Sequence, residues 1–412
     1  MEGTSTEELL GPPLRILTFT ALFPNSVDPS YGIFVYQRTV HLAERPGNEV
    51  VVVSPMPYFP RWIKTKRWRT ASELPARETF GKLAVHHPRY LLLPKISMPL
   101  HAVSMFLGSL PRCAELNRQA RFDCIDAHFV YPDGLAAVLL GKVLGVPVTL
   151  SARGTDINLF PSFTLIRPMI RWTLKQAANV IAVSAALKKE IVELGMDPGR
   201  IHVIPNGVDA TRFRVIPKEE ARRKLSLPEE GELLVSVGSL IPSKGHQLLI
   251  RAIRQVARNH PHLRLYILGE GTFRAKLESL VAELGLSDFV QVLNKRPNEE
   301  LPLWFSAADA SCLASEREGW PNVVTESLAC GTPVVGTRVG GIPEILHSPE
   351  FGILVDQTVE SIAAGIERAL LEKWNHEAIS LHIRTRTWER VAAEVEEILS
   401  AQVRNRDTHL AE

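Results

Sequence analysis

Apolar and polar positions along this chain follow two rhythms that keep exchanging places. Short aliphatic or β-branched runs mark strand candidates, and in the first half these are LRILTFT, EVVVVS, CIDAH, VPVTLS, NVIAVS and RIHVIP. Between them lie segments such as VYQRTVHLAE and LAAVLLGKVLG, whose apolar residues recur every three or four positions, the spacing of one helix face. The second half repeats the scheme with LLVSVG, LRLYILG, FVQVL, DASCLA, PVVGT and GILVD, separated by HQLLIRAIRQVARN, TFRAKLESLVAELG and other helical stretches. Alternation of this kind builds parallel sheets through right-handed crossovers. Two such runs predict an α/β chain of two doubly wound, Rossmann-like domains.

The pattern begins at Arg15. The polar, acidic residues before it predict a disordered tail over 1–14. It is interrupted by Pro, Gly and charge in NGVDATRFRVIPKEE, which puts the junction between domains at 15–212 and 213–385. A last helix, TWERVAAEVEEILSAQV, fills most of 386–412 and is expected to return toward the first domain.

Composition narrows the classes. The 412 residues suit two cores better than one. A net charge of +2 provides no whole-molecule attraction to nucleic acid, so an anionic partner needs a local patch. Cys113, Cys124, Cys312 and Cys330 form no CxxC pair or metal-ligand spacing, which points to a reducing compartment. The longest weakly charged stretch, Ser97 to Leu110, is shorter than the ~20 residues that cross a bilayer. A soluble, cytoplasmic protein is expected, at most peripheral on a membrane.

Open parallel sheets bind ligands beyond the carboxyl ends of their strands, so the βα loops carry the chemistry. In the second half, VGSLIPSKG places Gly238 and Ser239 after a strand and Lys244 where the next helix starts, beside amides that favour phosphate. LGEGTFR supplies Gly269 and Gly271, with Arg274 in the first helical turn. The stretch EGWPNVVTESLACG holds two glutamates eight positions apart: Glu318 in a loop kept from helix by Gly319 and Pro321, and Glu326 in a helix that Asn322 is expected to cap. A glycosidase pair needs carboxyl groups ~5 Å or ~6.5–9.5 Å apart, and nothing in this spacing imposes either. Two carboxylates flanking a helix start suit instead a ligand with hydroxyls at both ends and an anion between, as in a nucleotide diphosphate sugar.

These blocks, VGSLIPSKG, LGEGTFR, EGWPNVVTESLACGTPVV and TRVGGIPEI, resemble the carboxyl-terminal domain of family four retaining glycosyltransferases of GT-B fold, whose EX7E motif the glutamates match. FPNSVDPSYGIFVYQR, DAHFVYPDG, LSARGTDIN and VIPNGVD extend the resemblance through the first half, and the opening block is similar to members that build bacterial surface polysaccharides. The resemblance implies two domains facing a cleft, an acceptor side and a donor side. It implies that Glu326 binds the ribose hydroxyls and that Glu318, with the loop Gly319, Trp320, Pro321, Asn322 and Val323, holds the hexose. Lys244 would bind the diphosphate and stabilise it as it leaves. The family often has an arginine where this chain has Ser239; either Arg274 compensates or the loop binds phosphate with fewer charges.

In the first half, His128 ends the strand CIDAH and by the resemblance lies near the reacting centre; the bland alternative is a structural histidine. Arg153 either meets phosphate or pairs with Asp156, and Gly32 lets backbone approach the donor or simply makes a turn. Arg61, Trp62, Lys64, Lys66, Arg67, Trp68 and Arg69 form a basic, tryptophan-containing patch suited to an anionic membrane surface or a lipid-linked acceptor. The implied reaction moves a hexose from a nucleotide diphosphate sugar to a saccharide or lipid-linked acceptor with retention, without metal or other cofactor. A nucleotide-sugar epimerase, a phosphorylase or a non-catalytic nucleotide-binding scaffold would share the architecture.

Overall fold

The computed structural model describes residues 14–58, 74–92 and 98–411. Residues 1–13 of the expected tail and the basic patch at 61–69 lie outside them, whereas Leu14, the last residue of that tail, is buried in the first unit's core. The chain forms two compact units: Met1–Gly207 with Trp388–Glu412, and Val208–Thr387. The first break falls five residues before the expected junction because Val208 and Phe213 are buried in the second unit's core. Val208 also bridges Thr387 there, its N–H donating to the Arg386 carbonyl at 2.9 Å.

The strands of the first unit are β1 (Arg15–Phe19), β2 (Glu49–Val53), β3 (Met56–Tyr58), β4 (Arg77–Phe80), β5 (Leu83–His86), β6 (Arg89–Leu91), β7 (Cys124–His128), β8 (Val148–Ala152), β9 (Asn179–Ala182) and β10 (Ile201–Val203). Eight of them form one sheet in the order β10-β9-β8-β7-β1-β2-β5-β4, parallel except for the β4–β5 hairpin, while β3 pairs β6 separately. From β1 the chain winds one way to β2 and the other way to β7, so the switch point of this sheet lies between β1 and β7.

The second unit has β11 (Leu233–Val237), β12 (Arg264–Leu268), β13 (Val290–Leu293), β14 (Ala310–Leu313), β15 (Val334–Thr337) and β16 (Gly352–Val355). They are all parallel, in the order β13-β12-β11-β14-β15-β16, which places the switch point between β11 and β14. Apart from the edge strand β13, these strands are almost wholly buried aliphatic runs because helices cover both faces. His246–Val256 and Val359–Leu371 cover one face together, sharing a core of Leu249, Ile253, Ile362 and Ile366.

The helix Trp388–Ala411 belongs to the first unit. Trp388, Val391, Val395, Leu399 and Val403 recur at helical spacing and pack on Val35, Val40 and Leu42 of the helix Ile33–Ala43. Ion pairs join the two helices' ends, His41 with Glu389 at 3.2 Å and Arg45 with Glu396. No helix among the described residues is long and apolar enough to cross a membrane.

Truncating fully buried Leu399 to alanine is expected to lower the unfolding free energy by about 2–5 kcal/mol, measured by urea denaturation. A change below about 0.5 kcal/mol would mean that this helix is not part of the first unit's core.

Candidate active site

In the second unit the polar loops meet at the switch point. The loop after β11 carries Gly238, Ser239 and Lys244, and the loop after β14 carries Ser315, Glu318 and Gly319. Backbone ties them, since the Glu316 N–H donates to the Ser243 carbonyl at 2.8 Å. The Lys244 ammonium then reaches Glu318 Oε1 at 2.5 Å, and the Ser315 hydroxyl donates to the same oxygen at 2.7 Å. The pair is largely shielded, with Lys244 25% and Glu318 10% exposed.

Two glycines permit this approach. Gly245 has φ +70°, and a Cβ on it would stand 1.9 Å from the Ala314 carbonyl oxygen. Gly340 has φ +52°, and a Cβ there would stand 1.9 Å from the Glu318 carbonyl oxygen. Any side chain would push the loop after β11 or the loop after β15 off the loop that carries Glu318. The Gly341 N–H, donating to the Gly319 carbonyl at 3.1 Å, completes the frame.

The helix after this loop runs Asn322–Ala329, and Pro321 rather than Asn322 is its capping residue. Proline's fixed φ fits it for the helix boundary, so Asn322 becomes the first helical residue. No side chain caps this end, and first-turn amides are the groups of a helix that suit an anion. Trp320 and Val323 pack their side chains into the apolar cluster of Leu313, Val324 and Leu328. Glu326, on the second turn, has its carboxyl raised by burial to about 7, offset in part by nearby Arg212.

Arg274 does not replace the missing arginine at Ser239. Its guanidinium donates to the carbonyls of Val292, Leu293 and Gly269, at 2.9, 2.7 and 3.2 Å, and to Glu278 at 3.0 Å. The Leu293 carbonyl also accepts the Gly269 N–H at 3.2 Å, and binding these carbonyls and Glu278 occupies both terminal nitrogens of the guanidinium. Gly269 instead lets the loops after β11 and β12 touch, since a Cβ there would lie 1.9 Å from the Gly238 carbonyl oxygen. Ser239 is exposed. Sequence reasoning passed over His246, which is buried with Nδ1 3.3 Å from the Ser236 hydroxyl and no hydrogen-bond partner at Nε2. Burial lowers it to about 4, so it is neutral. Its place two residues after Lys244 was the available signal.

The first unit brings His128 and Arg153 together, but inside a buried charge cluster. His128 is fully buried, its Nδ1 2.5 Å from Arg153 and its Nε2 3.3 Å from Asp126. Arg153 can only donate, so Nδ1 accepts and Nε2 carries the hydrogen, pointing at Asp126. Burial, then Arg38, lowers His128 to about 3. With both nitrogens engaged, His128 is held within this cluster between Arg153 on one side and Asp126 and Arg38 on the other. Arg38, buried beside Asp126 and donating to the Ser151 hydroxyl at 2.7 Å, was not anticipated; one arginine in an amphipathic helix gives no sign of where it points.

Arg153 also differs from expectation. It donates to Asn206 at 3.0 Å and lies over the Phe34 ring, and burial lowers it to about 9. It makes no side-chain pair with Asp156, whose carboxylate instead accepts backbone N–H groups of Val130, Arg153 and Gly154 at 2.8, 3.0 and 2.8 Å. Three amides hold the turn after β8 more firmly than one mobile ion pair could. Gly32, φ +63°, opens the helix Ile33–Ala43, and a Cβ on it would lie 2.4 Å from the Leu22 carbonyl oxygen.

Solved structures share this architecture. Sucrose-phosphate synthase from Thermosynechococcus elongatus matches 97% of this chain and 100% of its own at a TM-score of 0.76 and 19% identity. HepE from Anabaena, solved with UDP and glucose, matches 94% of this chain and 100% of its own at 0.68 and 20% identity. The fold is therefore the two-domain GT-B fold. Residues 32–212 match glycosyltransferase family 4 and residues 217–388 match glycosyl transferases group 1. A D-inositol 3-phosphate glycosyltransferase of Thermobispora bispora is 31% identical over 310 residues, 70% of this chain and 72% of the relative. TuaC of Bacillus subtilis, a putative teichuronic acid biosynthesis glycosyltransferase, is 28% identical over 375 residues, 89% of this chain and 90% of the relative. The chain belongs to the family 4 glycosyltransferases.

Burial also raises Asp133, in the first unit, to about 7. Asp133 and Glu326 thus keep protons in the folded chain where the unfolded chain has lost them, between their ordinary values near 4 and about 7. The folded state binds more protons in that window, so stability falls as pH rises through it. Asp133→Asn and Glu326→Gln should each flatten that fall in urea denaturation between about pH 5 and pH 8. Unchanged slopes in both would contradict the buried, protonated assignments.

Proposed function

We propose that this glycosyltransferase moves a hexose from a nucleotide diphosphate sugar to an acceptor hydroxyl with retention of configuration, in the synthesis of cell-surface polysaccharide. The observation that carries the reading is the Lys244–Glu318 pair at the switch point, 2.5 Å apart beside an uncapped helix end. It holds a cation for a diphosphate and a carboxylate for sugar hydroxyls in one place. UDP and UDP-glucose complexes of HepE support a nucleotide-sugar donor, and the teichuronic acid role named for TuaC supports a surface polysaccharide.

In this reading the diphosphate draws Lys244 away from Glu318 and onto its own oxygens, beside first-turn amides of the helix Asn322–Ala329. Released from the lysine, Glu318 accepts hydroxyls of the hexose, with the amides of Gly319 and Trp320 beside it. Glu326 accepts the ribose diol. The bond from the anomeric carbon to the diphosphate oxygen breaks as the acceptor oxygen bonds to that carbon on the same face. The acceptor's proton passes to the departing phosphate oxygen, so no enzyme nucleophile forms. Lys244 and the amides stabilise the charge that develops there, which in other enzymes is worth about 10²–10³-fold in rate per donor. They take the place of a metal, and we assign no cofactor. The setting is the cytoplasm, with peripheral contact to the inner face of the plasma membrane through the basic residues at 61–69.

Lys244→Ala should lower kcat at least about 10²-fold in a folded protein, while chelation with EDTA leaves turnover unchanged; an EDTA-sensitive wild type would overturn the metal-free assignment. Hydroxyl donation to Glu326 favours its carboxylate, so nucleotide binding at about pH 6 should release a proton. Calorimetry in buffers of different ionisation heat should show that release in wild type and not in Glu326→Gln. Equal release in both would rule out the ribose assignment.

A further inference from the structure

The switch point of the first sheet opens into a cavity of about 470 Å³ that neither unit's charged cluster explains. The loop after β1 and the loop after β7 form its wall and are joined there, since Asp133 accepts the Ala21 N–H. Its lining is mostly apolar: Leu22, Met56, Met98, Met105, Phe129 and Phe160. Phe129 immediately follows His128 and has φ +78°, a conformation that side-chain-bearing residues rarely adopt and that tends to persist at functional sites. Its ring meets the Phe160 ring edge to face, with centroids 5.8 Å apart.

The polar groups at the cavity are few and carry no positive charge. The Tyr90 hydroxyl lies 2.8 Å from His101 Nε2, and burial lowers His101 to about 4, so the imidazole is neutral. Asp133 and Asp28 are the ionisable carboxyl groups on the lining, and no lysine or arginine joins them among the described residues. A phosphate would find two acids and no cation. Apolar surface continues outward: Val27 and Tyr31 line the cavity and are each 41% exposed. On the helix His101–Gln119, His101 and Met105 line the cavity.

We propose that this cavity is an acceptor site for an uncharged amphiphile, a hydrocarbon chain joined to a hydroxyl-bearing head group. The chain lies among the methionines, Leu22 and the paired phenylalanines and runs out over Val27 and Tyr31. Hydroxyls of the head group meet Asp133 and the Tyr90–His101 pair, on the loop that begins at His128. Volume and composition are those of small-molecule pockets, which are mainly apolar with a few convergent polar groups, and the crevice is where such sheets bind ligands. This assignment rests on the glycosyl-transfer reading above. Among the described residues the lining holds no counter-charge for an anionic head such as the inositol 3-phosphate named for some relatives.

Calorimetry on the full chain without nucleotide tests it, with octyl β-D-glucoside below its micelle concentration, octyl phosphate and glucose as probes. Octyl glucoside should bind saturably, and octyl phosphate and glucose at least tenfold more weakly. Val27→Asp, at an exposed position, and Phe160→Ala should each weaken octyl glucoside binding at least tenfold, with far-UV circular dichroism unchanged. Absence of saturable binding, equal binding of octyl phosphate, or full affinity in Val27→Asp would overturn the proposal. A thermal-shift arm with UDP, ADP and GDP separates the two readings. A nucleotide shift without octyl glucoside binding overturns the amphiphile alone, whereas no shift with any of the three overturns donor binding itself.

Discussion

The second unit's chemistry depends on how closely three loops can approach at the end of one parallel sheet. Carbonyl oxygens of Ala314 and Glu318 occupy the space where side chains on Gly245 and Gly340 would begin. That contact seats the loop after β14 between its neighbours and sets Glu318 within 2.5 Å of Lys244. A lysine on a surface loop is ordinarily solvated and mobile. Here its charge is held at one place before any ligand arrives, so less ordering remains to be done on binding. The pairing also protects both groups: each is partly shielded from water, and an uncompensated charge there would be costly.

The first unit handles charge differently. Arg38, Asp126, His128 and Arg153 lie in a cluster, most of it out of reach of solvent, whose members pair with one another and leave the Nε of Arg38 and of Arg153 without a partner. Its effect is to fix the end of β7 and the Arg153 side chain, and through the next residue, Phe129, the wall of the apolar cavity. Asp156 does the same with backbone, collecting three amides at the start of the adjoining turn. Rigid polar support under an apolar wall lets a site be selective without being charged.

The architecture was legible because parallel strands buried on both faces leave aliphatic runs that stand out from helical spacing. All twelve strand candidates correspond to strands. The ones that escaped notice, β3 to β6, are three or four residues long, and Arg77–Phe80 has only one apolar residue. Nothing in so short a run separates strand from loop, although the Gly81 turn before Leu83 was a hairpin signal. The loop chemistry was legible as spacing, since Gly, Pro and Glu mark where a helix must start. Partners were not. Arg274 lies in the right turn of the right helix yet is spent on carbonyls, and Arg38 reaches across the sheet from a helix that reads as ordinary. Side-chain direction over such distances is decided by packing, which no local pattern encodes.

The central claim is that Lys244, preset by Glu318, meets the diphosphate of the donor. The most direct measurement compares, in wild type and Lys244→Ala, the affinity for a nucleoside diphosphate that binds with the affinity for its parent nucleoside. The account predicts at least about a tenfold loss for the diphosphate, of the size expected for a charge-assisted contact, and an unchanged nucleoside affinity. Equal losses for both, or none for the diphosphate, would contradict it.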